Sequence, residues 1–288
     1  MNGTLPKVSV ICTCYNHDRY VTESMQSVVD QDYGNYELIV VDDGSTDGSM
    51  AAIELFKKKF PEIVVIKLEK NIGICKAFNK AFKMSSGDFI IDLAADDVLL
   101  PTRLSRGVET FRYAEDDCGV VFGDAEWINE KGDHLYFHSQ KFPHDKVPRE
   151  NIYKDLVERY FICSPTMMFR RTVIDFMNGY DESLTYEDFD FWIRSSRRFQ
   201  YHYDPAVLVK KRKVKNSLSH EQFKILNKHS NSTYRVCTKI LDLNRSEEER
   251  RATSNRLQYE IRQSIRTLDF GLAYRYILLW MKNNSMQY

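Results

Sequence analysis

The sequence has no apolar run long enough to cross a membrane, no net charge and no ordered set of cysteines. A spanning helix needs roughly 18 or more consecutive apolar residues, so the chain is expected to be soluble or peripheral. Its six cysteines, Cys12, Cys14, Cys75, Cys118, Cys163 and Cys237, are scattered. The start shows no charged n-region followed by an apolar h-region, and reduced thiols in the cytosol are expected. Cys12 and Cys14 share one face of an expected strand, but no second Cys/His pair at metal spacing accompanies them. That favours strand packing over zinc. No Gly-x-Gly-x-x-Gly follows the first apolar segment, which argues against a dinucleotide-dependent oxidoreductase. Thr13-Cys14-Tyr15-Asn16-His17 is not the glycine-rich, basic phosphate loop of a nucleotidyltransferase. No internal repeat or low-complexity stretch is visible.

What is present suits an ordinary globular protein: 288 residues, 43% apolar and 13% aromatic, ample for a core. The formal charge of zero hides an asymmetry. From Pro205 onward there are 17 Lys/Arg against 7 Asp/Glu, leaving 24 against 34 before it. A basic segment of this kind can face phosphate groups or anionic lipid, or be a solvated helical face. No nucleic-acid partner is expected.

The order of elements predicts an α/β fold. Val8–Cys12 reads as a buried strand, 21–29 as a helix and 37–42 as a second strand. A helix to about Phe60, a strand over 63–68, a helix over 74–84, a strand over 89–93 and a helix from Pro101 toward Tyr113 follow. The alternation implies a mostly parallel, helix-covered sheet. Beyond Val120 the rhythm changes to short strands and turns, with a helix expected over 188–197 and a strand over 207–212. From about Ser219 the pattern turns helical, which places a boundary near residue 218: 1–218 as the α/β domain and 219–288 as a helical C-terminal extension.

Acidic pairs end two of these strands, Asp42-Asp43 and, after 89–93, Asp96-Asp97. In open α/β sheets ligands bind beyond the carboxyl ends of strands, so these carboxylates are placed for a nucleotide and a metal. Asp43-Gly44-Ser45-Thr46-Asp47-Gly48 with Glu54 matches EF-hand spacing on paper, but an EF-hand loop follows a helix and this one follows a strand. A strand-to-helix turn capped by Ser45 or Asp47 is the better reading.

Val8-Ser9-Val10-Ile11-Cys12-Thr13-Cys14-Tyr15-Asn16 and Val40-Val41-Asp42-Asp43-Gly44-Ser45-Thr46-Asp47 resemble the opening of family-2 glycosyltransferases. Asn71-Ile72-Gly73 with Ala77 and Asn79, Ser86-Gly87-Asp88, Ala95-Asp96-Asp97 with Leu100-Pro101, and Tyr180-Asp181-Glu182 with Glu187-Asp188 continue the resemblance in order, across 7 to about 219. It implies a GT-A fold, a Rossmann-like, mostly parallel mixed sheet flanked by helices. It also implies inverting transfer from a nucleotide sugar, usually a uridine diphosphate sugar, to a glycan or lipid-linked acceptor in building a cell-surface polysaccharide. By position, Thr13 and Tyr15 would hold the base, Tyr15 by stacking, and Asp43 would accept from uracil N3–H. Lys76 stands where a basic side chain could approach the nucleotide, or is an exposed helix lysine.

The departing diphosphate must have its charge stabilised, which Mg²⁺ or Mn²⁺ does with hard oxygen ligands. Asp97 is assigned to the metal and Asp96 to the ribose or metal. The commoner family pattern has an acid at position 94, where this chain has Ala94, and a His at position 214, where it has Val214. His220 is nearby but out of register. Lys211, Arg212, Lys213 and Lys215 could instead neutralise the diphosphate, or form a solvated basic loop. These departures motivate a rival: a nucleotide-binding or scaffolding subunit without turnover.

Inversion needs a base opposite the departing phosphate. Asp188 is the candidate, at a helix start where a carboxylate is favoured, with Glu187 orienting acceptor or base and Asp190 pairing with Arg194. The segment 268–281 is aromatic and apolar with Arg275 and Lys282 in or beside it. It suits packing on the catalytic domain or a second subunit, as in a homodimer, or a peripheral contact at the inner face of the membrane.

Overall fold

The computed structural model describes residues 5–149, 151–215 and 230–285. The boundary expected near residue 218, and His220, lie outside them. By contacts the chain divides into two compact units. The first comprises Met1–Val147, Ile162–Tyr180 and Phe199–Lys213; the second comprises Pro148–Phe161, Asp181–Arg198 and Val214–Tyr288.

The first unit holds one sheet. Its elements are β1 (Val8–Cys14), α1 (Val21–Val29), β2 (Tyr36–Asp42), α2 (Ser49–Lys59), β3 (Val64–Lys67), α3 (Ile74–Met84), β4 (Phe89–Ala94), β5 (Val98–Leu99), α4 (Arg103–Tyr113), β6 (Cys118–Ile128) and β7 (His134–Phe137). After α5 (Tyr153–Glu158), in the other unit, come β8 (Met168–Arg170), α6 (Arg171–Met177) and β9 (Gln200–Arg212). Strand order is β3-β2-β1-β4-β8-β6-β9-β5, with β7 paired to β6. β3, β2, β1 and β4 run parallel; β8 is antiparallel to both β4 and β6.

Every residue of β1 is buried, as a parallel strand covered on both faces requires. Val8, Val10, Cys12 and Cys14 pack with Val21, Met25 and Val28 of α1 and Ile53 and Phe56 of α2. Alternation sends Ile11, Ile39 and Val41 to the other face, where α3 packs through Ala77, Phe78 and Ala81. The two cysteines are free and buried, the packing role expected of them. The chain builds outward from β1 through β2 to β3, then returns to place β4 on the other side of β1. That reversal makes the carboxyl ends of β1 and β4 the switch point where such sheets bind ligands.

Beyond Val120, β7 and β8 are the short strands expected, but two strands are not. β6 and β9 are the longest strands described and pair in parallel, with register shifts around Gly123 and Asp124. These shifts, with Pro205 inside β9, interrupt the period-two pattern by which a strand is recognised in sequence. At Gly123 a Cβ would lie 2.9 Å from the Asp204 and Ala206 carbonyl oxygens of β9, so the close approach of that strand requires glycine.

The second unit is helical: α5 (Tyr153–Glu158), α7 (Asp188–Ser195), α8 (Ser230–Leu243), α9 (Glu247–Arg266) and α10 (Phe270–Ser285). α8 buries Val236, Cys237, Ile240 and Leu241, and α10 buries Leu272, Ala273, Tyr276 and Leu279, each at helical spacing. Ser246 caps α9 by accepting the Glu249 N–H at 3.2 Å. Leu268, left-handed at φ 58°, reverses the chain after α9, and Asp269 Oδ1 accepts the Leu272 N–H at 2.9 Å to start α10.

Candidate functional site

Main-chain bonds hold the ends of three strands level. The Asp43 N–H donates to the Cys14 carbonyl at 2.8 Å, and the Ala95 N–H donates to the Thr13 carbonyl at 3.0 Å. Thr13 is buried there, whereas Tyr15 is 43% exposed, a ring presented to solvent at the rim. The loop carrying it is fastened to the turn after β2. The Asn16 amide donates to Ser45 Oγ (3.0 Å), Asn16 Oδ1 accepts the Thr46 amide (2.8 Å), and the His17 amide donates to Ser49 Oγ (2.9 Å). The Asp18 amide reaches Asp47 Oδ2 at 3.1 Å, while Asp47 Oδ1 accepts the Ser49 amide at the start of α2.

Asp43 is also committed within the fold. Oδ1 accepts the Ile72 N–H at 2.8 Å and Oδ2 the Gly73 N–H at 3.0 Å, so the carboxylate seats the start of α3. Each oxygen keeps a further lone pair for a ligand donor. Burial raises its pKa, the two amides oppose that, and Asp42 adds to the rise. Gly44 (φ +71°) passes so close to the chain that a Cβ would sit 2.4 Å from the Lys70 carbonyl carbon. The EF-hand spacing has no counterpart in space: Asp43 serves α3, and Glu54 is exposed on α2.

After β4, Asp97 is buried at 3% exposure and Asp96 is half-buried. Asp97 Oδ1 accepts the Arg212 N–H at 2.9 Å, a contact spanning 115 positions. Burial, then the neighbouring Asp96 charge, push the Asp97 carboxyl up to about 7; Lys211 and the Arg212 amide and charge oppose this. Among the described residues no three His, Cys, Asp or Glu side chains are grouped to hold a metal. The donor set is two carboxylates, hard oxygen ligands that fit Mg²⁺ or Mn²⁺ shared with water and diphosphate oxygens rather than a protein-only cage.

Arg212 has a role that the sequence does not show. Its Nη2 donates to Glu23 Oε2 (2.6 Å), Nε to the Asp96 carbonyl (3.0 Å) and Nη1 to the Asn129 carbonyl (3.3 Å), and its guanidinium lies 4.7 Å from the centre of the Tyr20 ring. It is a buried strut beneath the acidic pair, not part of a solvated basic loop. Lys76 is exposed on α3. Several recurring motif residues are likewise structural. Asn79 Oδ1 accepts the Tyr180 N–H (2.8 Å) and Asn79 Nδ2 donates to the Tyr180 carbonyl (2.9 Å), and the Tyr180 hydroxyl donates to Asp92 (3.0 Å). The Gly87 N–H donates to Ser9 Oγ at 2.8 Å, where a Cβ would collide with the Ser9 backbone.

Thus Thr13, Tyr15, Asp43, Asp96 and Asp97 stand on adjoining strand ends of the first unit. Glu187 and Asp188 belong to the second unit, where Glu187 is the N-cap and Asp188 the first residue of α7. Phe189, Trp192 and Ile193 form its buried face, and Asp190 pairs with Arg194 at 2.7 Å, as the spacing predicts. Asp190 also meets Lys239 of α8, a partner that no sequence spacing announces.

A sequence model described as Glycosyl transferase family 2 matches residues 9–176. TuaG of Bacillus subtilis, named as a teichuronic acid biosynthesis glycosyltransferase, is 29% identical over 229 residues, covering 79% of this chain and 87% of its own length. The chain spans less than two thirds, 64% and 65%, of the length of two uncharacterised glycosyltransferases that also match it. Among solved structures, S. aureus TarS 1–349 in complex with UDP-GlcNAc superposes with a TM-score of 0.68 at 21% identity, over 87% of this chain and 71% of that one. The mannosyltransferase PcManGT of Pyrobaculum calidifontis, in complex with GDP-Man and Mn²⁺, superposes at 0.63 with 14% identity, over 98% and 88%. The fold is the GT-A arrangement expected from the motifs.

Proposed function

The chain belongs to glycosyl transferase family 2, and on that premise we propose that it transfers a sugar from a uridine diphosphate sugar, with inversion, to a glycan or lipid-linked acceptor of a cell-surface polysaccharide. The carrying observation is the pair Asp96-Asp97 at the switch point of the sheet, level with Thr13 and Asp43. The name of TuaG, “Putative teichuronic acid biosynthesis glycosyltransferase”, supports the acceptor class, and TarS with UDP-GlcNAc supports the donor.

In this reading Tyr15 stacks on the base and Asp43 accepts from it. Asp97, with Asp96, holds Mg²⁺ or Mn²⁺, which when bound stabilises charge on the departing nucleoside diphosphate. Asp188 takes the proton of the acceptor hydroxyl as its oxygen attacks the anomeric carbon and the bond to the diphosphate breaks; Glu187 orients acceptor or base. Positioning and charge stabilisation supply most of the acceleration. The domain division proposed here keeps 1–218 as the transferase domain, with the later helices as an extension. Ala94, in place of a third acid, favours the second reading, a nucleotide-binding subunit without turnover.

The test is nucleoside-diphosphate release from a panel of uridine and guanosine sugars, with Mn²⁺, Mg²⁺ or chelator. Asp97→Ala and Asp188→Asn should each lower turnover by about 10²–10⁴-fold, and chelator should abolish it. Nucleotide binding by calorimetry, with no release from any donor in the presence of a glycan or lipid extract, would establish the second reading instead.

The acceptor class also bears on α10. Its free face carries exposed Phe270, Tyr274, Ile277, Leu278 and Met281, with Arg275 and Lys282 and no acid between Phe270 and Ser285. This suits a peripheral contact with anionic lipid at the cytoplasmic membrane face. Presenting acceptor in anionic vesicles should co-sediment the protein; self-association without vesicle binding would assign that face to a homodimer.

A further inference from the structure

We propose that α8 is the mount of the base Asp188, with Lys239 as its positioning residue; this rests on the reading of Asp188 given above. The segment from Asp181 to Glu187 has no strand or helix of its own, and α7 has only eight residues, too few to stand without tertiary support. One face of α8 supplies that support. Ser232 Oγ accepts the Thr185 N–H at 2.9 Å and lies 3.0 Å from Thr185 Oγ1. Thr233 Oγ1 meets the Tyr186 hydroxyl at 2.6 Å, and Arg235 Nη1 donates to the Ser183 carbonyl at 2.9 Å. Lys239 Nζ spans the segment, reaching Asp181 Oδ2 at 2.6 Å and Asp190 Oδ1 at 2.5 Å.

These contacts bracket Glu187-Asp188 on both sides in sequence. Positions 232, 235 and 239 recur at helical spacing, so a single helix face holds both ends of the segment. The allocation of charge is selective. Asp181 and Asp190 are both neutralised by Lys239, and Asp190, 1% exposed, takes Arg194 as well. The Asp188 carboxylate, by contrast, receives no hydrogen bond or ion pair from the described residues. A base needs an uncommitted lone pair on a rigid support, and the clamp provides the support without occupying the lone pair.

Turnover would be measured for the full chain and for Lys239→Met, Lys239→Arg, Asp188→Asn and the double variant Asp188→Asn/Lys239→Met. Each rate is divided by the fraction of donor sites titrated calorimetrically, so that unfolded material is not counted as slow enzyme. Lys239→Met should lower kcat about tenfold or more with donor KM unchanged, and Lys239→Arg should restore most of it. In the Asp188→Asn background Lys239→Met should cost nothing further, because it acts through Asp188.

Full activity in Lys239→Met, or an undiminished loss in the Asp188→Asn background, overturns the mount and leaves the base in place. Wild-type turnover in Asp188→Asn overturns the base itself and the mount with it. Hydrogen exchange gives a readout that needs no turnover: Lys239→Met should speed exchange across 181–190 and leave β1 and β4 unchanged. Unaltered exchange in 181–190 also refutes the clamp. Should Lys239→Met not fold, Ser232→Ala, which removes only the Thr185 bonds, takes its place in the same cycle and is held to the same outcomes.

Discussion

In the first unit Asp42, Asp43, Asp97 and Arg212 are buried at the carboxyl ends of β2, β4 and β9, while Arg103, Asp124 and Asp204 are buried away from them; in the second, Arg197 and Arg256 lie within the helical core itself. Arg256 is 3% exposed, pairs with Glu260 at 2.8 Å and stacks 4.2 Å from the centre of Tyr160 and 4.5 Å from that of Phe189. Arg197 lies 3.8 Å from the centre of Tyr153 and donates to Glu249 at 2.7 Å. A sheet is held in register by its main-chain ladder, so buried charges are not needed to set that register and those at the rim are left for a ligand. Helices meet only through side chains. A few buried charged pairs can then select one register among several, a use of such pairs attested in other helical proteins.

That contrast breaks most sharply at Arg256. Arg256→Ala leaves Glu260 without its buried partner and should cost about 3–5 kcal/mol in a urea titration; a loss below about 1 kcal/mol would assign the helical unit's stability to its aliphatic contacts instead. The first unit is tested at its rim rather than in its core. Gly44→Ala puts a Cβ against the Lys70 backbone in a left-handed conformation, and should cost at least about 1–2 kcal/mol and raise donor KM by loosening the seat of Asp43. Unchanged stability and KM would show that the turn can shift.

The smallest effect distinguishes the charges by pH. Burial alone would raise the Asp181 carboxyl, but the bonds from Lys239 and Ser183 outweigh it and hold it at about 2, below its ordinary 3.8. A depressed carboxyl contributes stability above its unfolded pKa and loses it as pH falls through the folded one. The second unit should therefore weaken between about pH 4 and pH 2, and Lys239→Met should remove Asp181's share of that dependence. An unchanged acid profile in Lys239→Met would show that Asp181 is held by Ser183 alone.

Much of the first unit was legible from local pattern. The helix over 74–84 has the expected limits, the strand 89–93 extends only to Ala94, and the acidic pairs stand at strand ends as read. The length of β6 and β9 was not legible, since bulges and a proline interrupt their alternation. Nor was the assignment of Pro148–Phe161 and Asp181–Arg198 to the helical unit, because membership of a unit depends on contacts between distant segments.

The sequence by itself determined the alternation of strands and helices, the turns that end them and the acidic residues beyond β2 and β4. Those features depend on side chains within a few positions of one another, on hydrophobic period, caps and turn residues. Only the tertiary structure decided what each charge does. The Arg212 guanidinium became a strut between Glu23 and the Asp96 and Asn129 carbonyls, Asp43 a seat for Ile72 and Gly73, and Lys239 a clamp on Asp181 and Asp190. A charged side chain can serve any of several partners, and which one it meets is set by strand register and helix packing between segments far apart in sequence, 29 positions for Asp43 and Ile72 and 189 for Arg212 and Glu23.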